Sequence, residues 1–265
     1  MKVGTHICDV VEHHWVNARY KYLRLSCPEP LARATLAGQF FQLACPVSES
    51  EAPFLRRPMS VYGIGPEDDR IEFLYHVKGL GTRSLERLRP GETMTMIGPL
   101  GAGFSFSAGW KRVLLVARGV GLATMAPISQ VAGEMGVRVT ALLSARSPEL
   151  ALAADLFESV GTVIKVLDTD GTSSVENVEG ILRRLIRENK ADAFYTCGSN
   201  RLLQLMKRIA REHRIPGQAA MEQIMACGLG PCYICVRTFE INGKKEMRRV
   251  CVEGPVFDLQ ECLGW

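Results

Sequence analysis

A chain of 265 residues, 47% hydrophobic and 23% charged, has the make-up of an ordinary folded protein and the length for two domains with a small appendage. Its net charge of +4 is interleaved along the chain rather than gathered into a basic stripe, which argues against nucleic acid as a partner. The longest aliphatic run, residues 113–117, is too short to cross a bilayer, and residues 1–11 lack a signal-peptide layout, so a cytoplasmic protein with no membrane span is expected.

Through the first hundred residues, short strands are expected at 5–12, 22–26, 39–44, 59–62, 71–77 and 93–97. Gly and Pro punctuate them, as in a small antiparallel barrel. One helix interrupts the strands, with Thr82 as its N-cap and Pro90-Gly91 as its stop. Residues 46–53, rich in Pro, Ser and Glu, read as an exposed loop. From Lys111 the rhythm changes. Strands at 112–117, 138–143, 162–167 and 193–196 alternate with helices at 122–135, 148–158, 175–187 and 201–212, the order of a doubly wound parallel sheet. After Pro216-Gly217 a Cys- and Gly-rich tail carries a hairpin signal at Asn242-Gly243, between strands at 236–241 and 246–252. The expectation is a barrel domain over 1–108, an α/β domain over 109–215 and a small C-terminal module over 216–265.

Five of the nine cysteines fall in the last forty residues, and a reducing compartment makes disulfides a poor account of them. Cys227, Cys232 and Cys235 have C-x4-C-x2-C spacing, and Cys251 follows after fifteen intervening residues. That is the spacing of plant-type [2Fe–2S] ligands. Gly228 and Gly230 let the loop curl so that backbone N–H groups face the cluster sulfurs. A four-cysteine zinc site is the alternative, but zinc favours two short pairs rather than three plus one. Cys262, near the chain end, is expected to be an unpaired thiol.

Two barrel segments suit a flavin nucleotide. In Arg57-Pro58-Met59-Ser60, a guanidinium can neutralise pyrophosphate while a hydroxyl further along the strand reaches the flavin ring. The plainer alternative is a barrel strand with surface arginines. The second segment, Tyr75-His76-Val77-Lys78-Gly79-Leu80-Gly81-Thr82, runs from a strand through a glycine turn into a helix start, where free N–H groups and the dipole attract anions. His76 on a strand is more often packed than catalytic. His13 and His14 are expected to face solvent, and Lys244, Lys245, Arg248 and Arg249 to form a solvated hairpin face.

Several stretches, in order, resemble the ferredoxin–NADP reductase superfamily, and within it the electron-transfer subunits of heteromeric bacterial dihydroorotate dehydrogenases. They are Arg57-Pro58-Met59-Ser60, Gly79-Leu80-Gly81-Thr82, Gly98-Pro99-Leu100-Gly101-Ala102-Gly103-Phe104, Met225-Ala226-Cys227-Gly228 and Val250-Cys251-Val252-Glu253-Gly254-Pro255-Val256-Phe257. The resemblance implies FAD on the first two stretches and a [2Fe–2S] cluster on Cys227, Cys232, Cys235 and Cys251. It also implies NAD(P)H as electron donor and a separate catalytic flavoprotein as hetero-oligomer partner, in pyrimidine biosynthesis. The rivals are a small subunit of a ferredoxin-dependent transhydrogenase or other complex, and a non-catalytic, zinc-bearing scaffold.

The nucleotide domain departs from the family pattern. Three glycines usually stand where this chain has Ala117-Arg118-Gly119. Gly119 and Gly121 still open a helix at the carboxyl end of the first strand, where open α/β sheets bind ligands. Arg118 in that turn either occludes the site or contacts a phosphate. Cys197, whose family counterpart lies near the nicotinamide, has a small buried hydrophobe as its plainer reading. Ser144, Arg146 and Ser147 follow the second strand and leave NADH against NADPH open.

Overall fold

The computed structural model describes residues 3–47 and 53–264, which fall into two compact units. Residues 48–52 of the expected loop at 46–53 lie outside the described residues. One unit draws on Met1–Gly103, Gln223–Val236 and Arg249–Pro255, the other on Phe104–Glu222, Arg237–Arg248 and Val256–Trp265. The tail expected as one C-terminal module is therefore shared between them.

The first unit contains β1 (Gly4–Trp15), β2 (Tyr20–Ser26), β3 (Phe40–Leu43), β4 (Arg57–Ser60), β5 (Gly63–Gly65), β6 (Arg70–His76), α1 (Leu80–Leu85) and β7 (Thr93–Leu100). The strands form an antiparallel half-barrel in the order β4-β3-β7-β1-β2-β6-β5. Leu23, Leu25, Phe41, Leu43, Ile71, Phe73 and Met96 are fully buried in its core, and removal of this apolar surface from water drives the sheet to curl. β4 lies at an edge, where Pro58 leaves no ladder hydrogen bond unmade. β5 was not expected, because a Gly-Ile-Gly run lacks strand propensity. A Cβ on Gly63 would sit 2.2 Å from the Glu72 carboxylate, so glycine is what allows β5 to pair with β6.

The second unit holds β8 (Arg112–Arg118), α2 (Gly121–Met125), α3 (Pro127–Met135), β9 (Arg138–Ala145), α4 (Ala154–Glu158), β10 (Gly161–Leu167), α5 (Val175–Arg187), β11 (Ala193–Cys197), α6 (Asn200–His213), β12 (Gly217–Ala220), β13 (Val236–Ile241), β14 (Lys244–Arg249) and β15 (Val256–Asp258). Val236 and Arg249, at the ends of the hairpin, cluster with the first unit. The main sheet runs β10-β9-β8-β11-β12-β15, parallel except for β15. β12 and β15 were missed, since each is three or four residues inside a stretch that reads as turns. The helix expected at 122–135 is two, because Pro127 has no N–H to continue the ladder and instead opens α3. The helix expected at 148–158 shrinks to a 3-10 turn and α4, separated by Ala153 at φ 60°. Ser174 and Ser199 cap α5 and α6. Asn242 and Gly243, both at positive φ, make the expected hairpin turn. Among the described residues no helix is long and apolar enough to cross a membrane.

Asp192 fastens the start of β11 to β8. Its carboxylate accepts from the backbone N–H groups of Lys111 and Arg112 at 2.8 Å and from Arg112 Nη2 at 2.9 Å. The Arg112 guanidinium chiefly holds its pKa down. A depressed carboxylate stabilises the fold above its unfolded pKa of about 3.9, and that stability is lost as pH falls through the folded value. Asp192→Ala should cost about 1–3 kcal/mol in denaturant titrations at pH 7, and less at about pH 2, because the loss begins only below the unfolded pKa. An equal cost at both pH values would contradict this role.

Candidate functional site

The cysteine loop and its return strand bring four thiols together as two pairs. Cys227 and Cys232 Sγ lie 3.1 Å apart, as do Cys235 and Cys251 Sγ. Among the described residues no three His, Cys, Asp or Glu side chains converge as ligands of a single ion. Two and two is the division required by two irons sharing four thiolates, whereas tetrahedral zinc needs all four at one point. Local backbone produces this geometry. Gly228 (φ 71°) and Gly230 (φ 101°) take left-handed conformations that curl the loop. The Val250 N–H donates to the Cys235 carbonyl at 3.1 Å and closes the base of the hairpin. The Leu229 N–H points at Cys227 Sγ, 3.3 Å away. The pairs differ electrostatically. Exposed Cys232 is lowered to about 7, first by the backbone N–H of Cys227 and then by that of Ile234. Cys251 is pushed up by burial. Cys262 lies in the other unit, its thiol donating to the Asp258 carbonyl at 3.3 Å.

In the barrel, the structure joins the two expected flavin segments at one point. Gly81 of α1 lies against the Arg57 side chain so closely that a Cβ there would be 2.2 Å from Nε and 2.6 Å from Cζ. Only glycine leaves that space to the guanidinium. Arg56 is tied to β7 through the Thr95 carbonyl at 3.0 Å. Arg57 is braced by the Leu55 carbonyl at 2.6 Å, so it is the better placed of the two for an anion. Thr82 is not the N-cap. Gly79 is, and Thr82 Oγ1 reaches back to accept from the N–H groups of Lys78 (2.8 Å) and Gly79 (3.1 Å). A Cβ on Gly79 would meet nothing within 4 Å, which leaves the turn open. Arg57 and Ser60 are half-buried on β4, and Met59 packs into the core.

Tyr75, near the end of β6, is turned into the barrel. Its ring is buried in the barrel and its hydroxyl meets His13 Nε2 at 2.8 Å. His13 Nδ1 faces the Leu88 carbonyl at 2.7 Å and must donate to it, so Nε2 accepts from the tyrosine. His13 is thus half-buried rather than solvent-facing, and burial lowers its pKa, in keeping with a neutral ring. His76 packs its ring on Tyr20 at 5.1 Å, and the Val77 N–H is taken by the Arg19 carbonyl.

At the carboxyl end of the parallel sheet, Arg118 has partners on two neighbouring elements. Nη1 donates to Ser144 Oγ at 2.7 Å and Nη2 to Asp168 Oδ2 at 2.6 Å. Ser144 belongs to β9 and Asp168 follows β10, so one side chain ties together the ends of three adjacent strands. Arg118 chiefly holds the Asp168 carboxyl down to about 2, with help from Ser173. The two glycines of the turn have different work. A Cβ on Gly119 (φ 59°) would meet nothing within 4 Å, so this glycine faces open space. A Cβ on Gly121 would lie 2.7 Å from the carbonyl carbon and oxygen of Cys197. Cys197 is buried, and that burial pushes its thiol up. Sequence reasoning passed over Asp168 and Gln42, a fully buried amide beside the cysteine loop, because neither lies in a motif. Gly121→Ala should unfold the second unit at a clearly lower temperature, while Gly119→Ala should cost only the left-handed strain of about 1–2 kcal/mol. Thermal denaturation followed by circular dichroism distinguishes them, and a milder Gly121 variant would contradict the packing role.

Comparison with known proteins fits this geometry. Residues 222–263 match the family model for the iron–sulfur cluster binding domain of dihydroorotate dehydrogenase B. The dihydroorotate dehydrogenase B (NAD(+)) electron transfer subunit of Shouchella clausii is 32% identical over 230 residues, spanning 85% of this chain and 86% of that protein. That of Desulforamulus reducens is 29% identical over 89% of both chains. A chain of the NADH-dependent reduced ferredoxin-NADP oxidoreductase structure superposes with a TM-score of 0.79 at 25% identity, over 97% of this chain and 90% of that one. The ferredoxin reductase of carbazole 1,9a-dioxygenase, with a TM-score of 0.62 at 19% identity, shares the fold over 81% of this chain and 66% of that one. With a one-third identical relative matched along most of both sequences, and paired thiols inside the matched cluster domain, this chain belongs to the family of dihydroorotate dehydrogenase B electron transfer subunits.

Proposed function

We propose that the chain carries electrons from a nicotinamide nucleotide, by way of FAD and a [2Fe–2S] cluster, to the catalytic flavoprotein of a dihydroorotate dehydrogenase, in a cytoplasmic hetero-oligomer serving pyrimidine biosynthesis. The observation that carries this reading is the two-plus-two pairing of Cys227 with Cys232 and Cys235 with Cys251. When bound, FAD supplies the exchange of a hydride for two single electrons, and the cluster supplies one-electron transfer. The four cysteines hold the irons. Arg57 neutralises pyrophosphate, and the open turn from Gly79 to Thr82 receives it with the N–H groups of α1. Ser60, with the strand end formed by Pro58, Met59, Tyr75, His76 and Val77, shapes the flavin's seat. Gly119, Gly121 and Cys197 form the nicotinamide edge, where Gly119 leaves room for close approach.

NADH is the preferred donor. The relatives' names specify NAD(+). Ile224, Leu229, Tyr233, Ile234 and Val252 are exposed on and near the cysteine loop, an apolar surface suited to a protein partner at the electron exit. Cysteines without disulfides fit the reducing cytoplasm. The transhydrogenase-type reading rests on the 0.79 TM-score to the ferredoxin-NADP oxidoreductase chain. Identification of the co-purifying subunit separates the two.

Anaerobically purified protein should contain iron and acid-labile sulfide in equal amounts. Ser in place of Cys227, Cys232, Cys235 or Cys251 should abolish the visible cluster spectrum, whereas Cys262→Ser should retain it. Stoichiometric zinc without sulfide would refute the cluster and favour the scaffold reading. Arg57→Ala should weaken FAD binding by about 1.5–3 kcal/mol, the worth of a charged hydrogen bond. Unchanged FAD affinity in fluorescence titration would remove Arg57 from the site.

A further inference from the structure

We infer that Gln42 is a positioning residue that seats the cysteine loop on the flavin-binding sheet and tunes the cluster through the Ala226–Cys227 peptide. This rests on the cluster reading above. β3 is Phe-Phe-Gln-Leu, all buried, and Gln42 is 0% exposed. A polar amide in such a strand is costly unless it is used. Gln42 Nε2 donates to the Ala226 carbonyl at 3.3 Å, in the residue before Cys227. The same peptide unit leads directly into Cys227, whose Sγ lies 3.1 Å from Cys232 Sγ and accepts from the Leu229 N–H at 3.3 Å. The amide therefore grips one end of a peptide whose other end is a cluster ligand. Hydrogen bonding at the carbonyl polarises the N–H of that ligand residue.

Three further observations agree. Gly228, at φ 71°, closes over Gln42 so tightly that a Cβ would lie 2.7 Å from Nε2 and 2.8 Å from Cγ. Gln42 Oε1 is buried without a partner, a penalty that Leu or Met at this position would not carry. The backbone of Gln42 is in register with Pro58 on β4 and Ile97 on β7. One residue thus links the strand bearing Arg57 and Ser60 to the peptide that precedes Cys227.

The test is Gln42→Met in the holoprotein, which keeps side-chain length and removes the donor. FAD content and thermal midpoint should stay at or above wild type, since the orphaned acceptor is gone. The cluster midpoint potential should become more negative, the electron paramagnetic resonance g values should change, and iron should leave to a chelator about fivefold faster, as expected for one net buried hydrogen bond. A variant with wild-type potential, g values and chelation rate overturns the proposal. If Gln42→Met fails to accumulate, Gln42→Leu decides on the same readouts, and wild-type values there likewise overturn the proposal. Wild-type protein without a [2Fe–2S] signal would overturn the cluster reading itself, and this inference with it.

Discussion

Cys235 and Cys251 meet at 3.1 Å although fifteen residues separate them, and everything at the electron-transferring end depends on that closure. A left-handed Asn242-Gly243 turn reverses the chain, and the bond from the Val250 N–H to the Cys235 carbonyl pins the returning strand. On the near side, two left-handed glycines bend Cys227 round to Cys232. The thiols are thus brought together by backbone geometry, so a cluster bound on them would cost little further ordering entropy. The asymmetry of the pairs follows from their depth. Exposed Cys232 is lowered by backbone N–H groups, while buried Cys251 is raised by desolvation.

The second unit binds the arginine in its β8 turn internally. Arg118 is satisfied by Ser144 and Asp168, so its charge neither blocks the turn as a free cation nor stands ready for a phosphate. Asp168 in turn accepts from Ser173 Oγ, so the carboxylate is held on both oxygens. A departure from the glycine pattern has become part of the edge's electrostatics. The glycine freedom still required is divided between two positions. Gly119 keeps a side open, and Gly121 admits the backbone of β11.

Most of the architecture was legible because strands and helices alternate with clear periods. β8 to β11 and α5 to α6 appear within two residues of where the alternating pattern puts them. Local rules failed where a short element depends on a distant partner. β5 exists because β6 pairs with it, and β15 because β12 offers an edge. The gathering of the four cysteines was legible in their spacing. The Tyr75–His13 contact was not, because sixty-two residues separate the two. Asp168 and Gln42 were invisible for the same reason: each has meaning only through a partner remote in the chain.

The central claim is that electrons from the nicotinamide reach the cluster through this one polypeptide. Anaerobic addition of NADH to the holoprotein, followed by freezing and electron paramagnetic resonance, tests it directly. Bleaching of the flavin band together with the rhombic signal of a reduced [2Fe–2S] cluster is the predicted result. A bleached flavin beside a cluster that stays silent, although dithionite reduces it, would contradict the account.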